Sequence, residues 1–225
     1  MKPGEVHTEG IRAISKIDMQ FAQQLGYTIK LLGIVKHAET AHRKPNGRQS
    51  GVQVSVYPAL IPQAHVLASV NDVFNAVFVR GDVVGDTLFY GRGAGKDATA
   101  SAVLSDVADA ALDLKNGVKL RVPPFVAHAR DGRVVPMDEI VSRYYVRLDV
   151  VDRPGVLAKI AAIFGAAHIG ISSVIQPEGH EGESVPLILM IHDAPNATMR
   201  KALAKIAKLP PVKSRPVMIR VESLE

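Results

Sequence analysis

Phe89-Tyr90-Gly91-Arg92-Gly93-Ala94-Gly95-Lys96-Asp97-Ala98-Thr99-Ala100-Ser101-Ala102 joins an apolar strand pattern to a helical one through three alternating glycines. Glycine permits the tight backbone that brings N–H groups close to a ligand, and a following helix N-terminus adds roughly half a positive charge, so such a junction can hold a phosphate. Two familiar phosphate motifs do not fit it. A P-loop needs glycine five residues before the Gly95-Lys96 pair and Ser or Thr after it, where this chain has Tyr90 and Asp97. The dinucleotide fingerprint G-x-G-x-x-G fails on spacing, and no acidic residue follows at the right distance after a second strand. Spacing alone leaves a ligand loop and a plain strand-to-helix turn both open.

Upstream, Ser15 with Asp18 reads as a capping box, and Ile14, Ile17, Phe21 and Leu25 recur at helical spacing until Gly26. Thr28 to Lys36 reads as a strand. A polar loop with Pro45-Asn46-Gly47 reverses it into the alternation of Val52, Val54 and Val56, a β-hairpin. Val73 to Arg80 and Val83 to Phe89 form a second hairpin across Gly81-Asp82. The helix after the glycines is expected to turn Val103, Val107, Ala110 and Leu114 to a core. The first part is therefore an α+β unit, an antiparallel or mixed sheet with helices on one face. Its open edges predict cover from another copy or a further domain.

Residues 117–143 break any long period with Gly117, Pro123-Pro124, Asp131-Gly132 and Pro136, and read as a linker with one or two short strands. Phe125-Val126 and Val134-Val135 make it apolar enough to pack along a domain. From Tyr144 the pattern runs strand (145–150), Asp152-Arg153-Pro154-Gly155 turn, helix (156–167), strand (171–176), polar loop, strand (186–191), helix (196–208) and strand (216–221). That is β-α-β-β-α-β, a ferredoxin-like arrangement over 144–225. Pro154 suits a first helical turn, and Ile160, Ile163 and Phe164 mark the buried face.

Several blocks together resemble the C-terminal half of homoserine dehydrogenases: Glu9-Gly10-Ile11, Leu25 to Ile34, Leu60-Ile61-Pro62 with His65, Asn75 to Val79 with Gly81-Asp82 and Val84-Gly85, the glycine stretch, Thr99 to Val103 and Asp106. They cover roughly residues 9–116 in the family's order, so 1–116 is assigned to a segment of the catalytic and dimerisation domain. Val66 and Ala98 stand where such enzymes usually carry proline, which predicts a less rigid approach to the helix. The resemblance implies NAD(P) as cofactor, with Gly93, Ala94 and Gly95 against the nicotinamide nucleotide and Thr99 as helix cap. It also implies that the nucleotide-binding domain and the catalytic Asp/Lys helix precede the part matched here, so no catalytic residue is assigned in this chain. Lys30, in an apolar strand pattern, is expected to point to solvent.

The Asp152-Arg153-Pro154-Gly155-Val156-Leu157 turn with Ile169-Gly170-Ile171-Ser172 resembles an ACT domain. Such domains bind amino acids beside that turn, which assigns Arg153, Pro154, Gly155, Val156, Leu157 and His168 to an effector site, threonine being the family's commonest ligand. Backbone N–H groups at the helix start can take a carboxylate, and glycine leaves room for it. A bare strand-to-helix turn and a helix-terminal histidine cap are the plainer alternatives.

Composition narrows the rest. At 225 residues and 47% hydrophobic content, the chain can build one large or two small domains. The net charge of +5 comes from Lys and Arg spread along the chain rather than clustered with aromatics, so a nucleic-acid partner is not expected. The absence of cysteine excludes disulfides and thiolate chemistry. No stretch approaches the roughly 20 apolar residues of a membrane span, and the first five residues lack a signal-peptide core, so a cytoplasmic protein without a membrane partner is expected. Asn196, in a chance sequon after Pro195, reads as a helix cap. The eight histidines show no metal-ligand spacing, so no metal is assigned, and no hydrolase elbow appears. The leading expectation is a homoserine dehydrogenase segment, inactive alone and assembled as a homodimer or tetramer. The competing one is a non-enzymatic amino-acid-binding regulator.

Overall fold

The computed structural model describes residues 3–38, 51–118, 134–178, 180 and 182–224. In chain order its strands and helices are β1 (His7–Thr8), α1 (Lys16–Gln24), β2 (Tyr27–His37), β3 (Val52–Pro62), β4 (Phe74–Gly81), β5 (Gly85–Arg92), α2 (Lys96–Asn116), β6 (Val141–Val151), α3 (Val156–Ala166), β7 (Ile171–Ile175), β8 (Ser184–Pro195), α4 (Asn196–Ile206) and β9 (Val217–Val221). The Pro45-Asn46-Gly47 loop and the Pro123-Pro124 and Asp131-Gly132 breaks lie outside the described residues.

Two compact units form, Met1–Gln63 with Arg130–Glu225, and Ala64–Ala129. The first is built on a seven-stranded sheet in which the ferredoxin-like strands β9-β6-β8-β7 continue through β9 onto β3. β2 takes one whole edge of β3, from Tyr27 opposite Pro62 to His37 opposite Val52. The other edge is shared by β1 at Ser55 and Val56 and by β9 at Ala59 and Leu60, both parallel. The first hairpin is thus not a layer of its own. It extends the sheet made by residues 141–221, although it lies far away in sequence.

Strand alternation decides which face each helix covers. Tyr144, Val146, Leu148 and Val150 of β6 meet Val156, Ile160 and Phe164 of α3 and Met199, Leu203 and Ile206 of α4. Tyr145, on the opposite face, joins Ile188, Met190 and Ile219 against Phe21 and Ala22 of α1. The Ser15–Asp18 capping box opens α1 as expected. Val135, Met137 and Ile140, at the end of the linker stretch, are buried with Ile34, Tyr57 and Ala59, and Val134 bridges Val52. That part of 117–143 packs on the first hairpin, as its apolar content suggested.

The second unit holds the β4–β5 ribbon, in register from Phe74 opposite Arg92 to Gly81 opposite Gly85, and α2. The expectation that α2 buries Val103, Val107, Ala110 and Leu114 is not met. α2 has no buried residue, and Val103, Val107 and Leu114 are 55%, 59% and 85% exposed. The helical period was read correctly, but among the described residues of this unit nothing covers the apolar stripe.

Candidate functional site

The glycine stretch forms a turn from the end of β5 into α2. Gly93 N–H donates to Val73 O at 2.9 Å, extending the ribbon one step beyond the ladder. Gly95, at φ 117°, is the N-cap of α2, and Thr99 N–H returns to Gly95 O at 3.0 Å as a first helical bond. Thr99 is therefore not the cap: its hydroxyl position lies a full turn inside the helix, and the positive φ reserves the cap for glycine. Gly93, Ala94, Gly95 and Thr99 are all exposed. The N–H groups of Lys96, Asp97 and Ala98 have no acceptor within the helix, as in any first turn, so they are open to an anion.

Beside the turn, Phe74 stacks on Tyr90 with ring centroids 4.9 Å apart, and the Arg92 guanidinium lies 5.6 Å over Phe74. His65 caps a 3-10 turn over Val66–Ser69 by accepting from Leu67 N–H at 3.2 Å. Its ring meets Phe78 edge to face. Burial first, and then the nearby Arg80, hold its imidazole below the usual value, so it is neutral at physiological pH. Arg80 grips Asp86 with two bonds of 2.7 and 2.8 Å and draws that carboxyl down.

A second candidate lies wholly within the first unit, where β6 turns into α3. A cleft of about 450 Å³ is lined by Val150, Val151, Asp152, Arg153, Pro154, Gly155, Val156, Leu157, Gln176 and Leu187. Five of the six expected effector residues meet there; His168 does not. It sits exposed just past α3 at φ 56°, donating its N–H to Gly165 O, so it ends the helix at the far side from the turn. Gly155 is the N-cap of α3 at φ 83°, and a Cβ there would meet nothing within 4 Å. Its glycine is required by backbone conformation rather than by crowding. Asp152 is fixed by its own backbone, which accepts from Gly182 and donates to Glu183, each at 2.8 Å. Gln176 Nε2 donates to Asp152 Oδ1 at 2.9 Å. Sequence reasoning missed Asp152 and Gln176 as lining residues; β8 lies between β6 and β7, and the meeting of 176 with 152 past their ends has no signal along the chain.

Asn196, expected to cap α4, is instead its first residue, after an N-cap at Pro195. Its side chain is buried and accepts from Arg220 Nη2 at 2.7 Å. Arg220, 1% exposed, also donates to Glu9 Oε2 at 2.9 Å and lies 4.7 Å over the Tyr57 ring. Tyr57 in turn donates to Glu222 Oε1 at 2.6 Å, and Lys36 closes on the same carboxylate at 2.7 Å. This buried polar seam joins β1, β2, β3, β9 and α4, and burial pushes the Tyr57 phenol far up, so it stays a donor. Lys30 is half-buried in β2 opposite Ala59, rather than turned fully to solvent. Among the described residues no cluster of His, Asp or Glu could hold a metal ion, and no helix is long and apolar enough to cross a membrane.

Residues 1–108 match the family model for homoserine dehydrogenase, and residues 144–210 match the ACT domain. The homoserine dehydrogenase of Pseudomonas aeruginosa is 38% identical over 98% of this chain and 49% of its own length. That of Corynebacterium glutamicum is 37% identical over 97% of this chain and 47% of its own length. Among solved structures, a homoserine dehydrogenase from Thiobacillus denitrificans superposes with a TM-score of 0.80 at 36% identity, covering 99% of this chain and 48% of that one. The chain spans about half the length of the relatives it matches.

Proposed function

The chain belongs to the homoserine dehydrogenase family over residues 1–108 and carries an ACT domain over residues 144–210, and from that premise we propose that it is the C-terminal part of an NAD(P)-dependent oxidoreductase interconverting L-homoserine and L-aspartate 4-semialdehyde. The observation that carries the reading is the identity of 38% sustained over 98% of the chain. In it, Gly93, Ala94 and Gly95 face the nicotinamide nucleotide, and the open N–H groups at the start of α2 favour its negative charge. The nucleotide would supply or accept the hydride. This chain's part is to hold the cofactor edge in place through the backbone N–H groups of that turn.

The cleft at Asp152–Leu157 takes an amino-acid effector, threonine first among candidates. Its carboxylate meets the N–H groups at the start of α3, and its ammonium meets Asp152, held ready by Gln176. Threonine control implies the threonine, methionine and isoleucine branch and a cytoplasmic setting. β7 is an edge of the seven-stranded sheet, and pairing of such edges supports a homodimer or tetramer. Because the cleft lies within one unit, the chain also supports a second reading as an amino-acid-binding regulator without activity. Mixing the chain with the separately produced nucleotide-binding half of the P. aeruginosa relative, and following NADPH oxidation with aspartate semialdehyde, separates the two. Turnover that depends on both parts supports the enzyme; a stable complex without turnover favours the regulator.

A further inference from the structure

The three alternating glycines do not share one constraint, and the middle one leads to a residue outside the turn. At Gly95 the constraint is conformational, since φ is 117° and a Cβ would meet open space. At Gly91 a Cβ would also meet nothing within 4 Å. At Gly93 a Cβ would lie 1.5 Å from Asn75 Nδ2, 2.5 Å from its Cγ and 3.2 Å from its Cβ. The space a side chain would need at 93 is already filled by the Asn75 amide.

The ribbon register explains the contact. Asn75 stands opposite Gly91, and side chains two apart on a strand share a face, so the next position on that face beyond Gly91 is Gly93. Gly93 is kept in the ribbon by its N–H bond to Val73 O. Without a side chain at 91 or 93, nothing on β5 holds Asn75 away, and its side chain leans along the strand onto the turn.

We propose that Asn75 is the positioning residue of this turn: its amide, seated on Gly93, fixes the backbone from which Gly93, Ala94 and Gly95 pass into α2. The geometry stands by itself; its consequence for cofactor binding rests on the dehydrogenase reading. A short amide suits the place, because it fills the gap at Gly93 without adding charge beside N–H groups open to an anion. Asn75→Asp keeps the shape and adds the charge.

The test uses the ¹⁵N-labelled chain, with the side-chain NH₂ signals of Asn75 and the backbone amides of 91–97 as reporters. Asn75 is exposed and the atoms nearest the new Cβ are the free end of its side chain, so Gly93→Ala is expected to displace the Asn75 NH₂ pair with little change in amide exchange, whereas Asn75→Ala is expected to speed exchange across 91–97 about tenfold. Gly93→Ala made with Asn75→Ala is expected to bring little further change, since a Cβ 3.2 Å away can be accommodated by a shift of a few tenths of an ångström. Asn75→Asp is expected to keep the wild-type exchange pattern. If Gly93→Ala leaves the Asn75 signals unmoved, or Asn75→Ala leaves exchange across 91–97 at the wild-type rate, the proposal is wrong. In the two-part enzyme described above, Asn75→Ala is expected to raise KM for NADPH about tenfold with kcat within twofold, and Asn75→Asp to raise it despite an intact turn. Coupled amide signals with an unchanged KM would leave Asn75 as the turn's positioning residue and overturn the cofactor reading of the turn.

Discussion

The carboxylate of Asp18, wholly buried, accepts a hydrogen bond of 2.7 Å from Arg147 Nε, so the residue that caps α1 also ties that helix to β6. Tyr145 Oη adds a bond of 3.0 Å and Ser15 two of 2.8 Å. Phe21 and Ala22 then lie on the sheet face opposite α3 and α4. Arg147 is only 12% exposed, so Asp18→Ala leaves it with only the longer contacts of 3.3 Å to Asp149, a loss of up to about 3–5 kcal/mol, the cost of breaking a buried pair outright. Urea unfolding should show the midpoint falling accordingly, whereas Lys16→Ala, two residues away at an exposed position, should move it little. Equal midpoints for Asp18→Ala and wild type would show that the pair contributes nothing net.

Acid should unfold the chain in a defined window. Burial alone would raise the Asp18 carboxyl, but the bonds from Arg147 and Ser15 outweigh it and hold it below the ordinary value. Glu9 is likewise opposed by burial and drawn down to about 2 by His7 and Arg220. A carboxylate with a depressed folded pKa stabilises above its unfolded value, near 4, and that stability is lost as pH falls through the folded value. The contribution of these two carboxylates should therefore be level from pH 7 to about 5 and decline from about 4 toward 2. Glu9→Gln should flatten part of that decline in circular dichroism titrations; an unchanged slope would remove Glu9 from the account.

Gly155→Ala should destabilise modestly and without a clash. At φ 83° an L side chain is strained, at about 1–2 kcal/mol per left-handed residue, while the surrounding space is open. Gly170→Ala makes the contrast: there a Cβ would come 3.0 Å from His192 Cδ2, so the cost depends on whether the histidine moves. Thermal unfolding of both variants, with and without His192→Ala, should show relief only at position 170.

Short-range patterns were readable in the chain, and long-range partners were not. The Ser15–Asp18 box, both hairpins and the β-α-β-β-α-β order follow from period, cap and turn chemistry over a few residues. That the first hairpin shares a sheet with β9 rests on the pairing of Ala59 with Arg220, a choice among equally extended edges that no local rule makes. The same holds at the sites. Arg153 to Leu157 were legible because they are contiguous with a turn motif, whereas the Gln176–Asp152 bond and the approach of Asn75 to Gly93 join residues that the fold, not the local sequence, brings together. Asn196 and Thr99 were misread as caps, since Pro195 and Gly95 already hold the cap geometry that a polar side chain would otherwise supply.

Alone, the chain should give no detectable NADPH oxidation with aspartate semialdehyde. Hydride transfer needs both reactants held in near-attack geometry, and in the proposed reading the glycine turn would supply backbone N–H groups to only one side of the nucleotide. A steady rate from protein purified away from host enzymes, and abolished by Gly95→Val, would overturn this, because Gly95 is the position whose φ of 117° fixes the start of α2.

The cleft should bind threonine, and Asp152 and Gln176 should each matter for a different reason. Asp152 is the carboxylate facing the cleft from a backbone pinned on both sides by Gly182 and Glu183. In the proposed reading it would meet the ammonium directly, so Asp152→Ala should remove most of the affinity, at about 1.5–3 kcal/mol for a charge-assisted bond, or roughly ten- to a hundredfold. Gln176 orients that carboxylate through a single bond of 2.9 Å at an exposed site, so Gln176→Ala should weaken binding by no more than about tenfold. Val150, Val156 and Leu187 give the cleft an apolar wall that accepts a methyl group, so threonine should bind ahead of serine. Lysine, whose second ammonium gains no further carboxylate among the lining residues, should bind last. Calorimetric titration of the chain with the three amino acids and these two variants reads the order directly. Threonine binding weaker than millimolar, about −4 kcal/mol, or an Asp152→Ala variant that binds as tightly as wild type, would leave the cleft as a packing feature of the α3 turn.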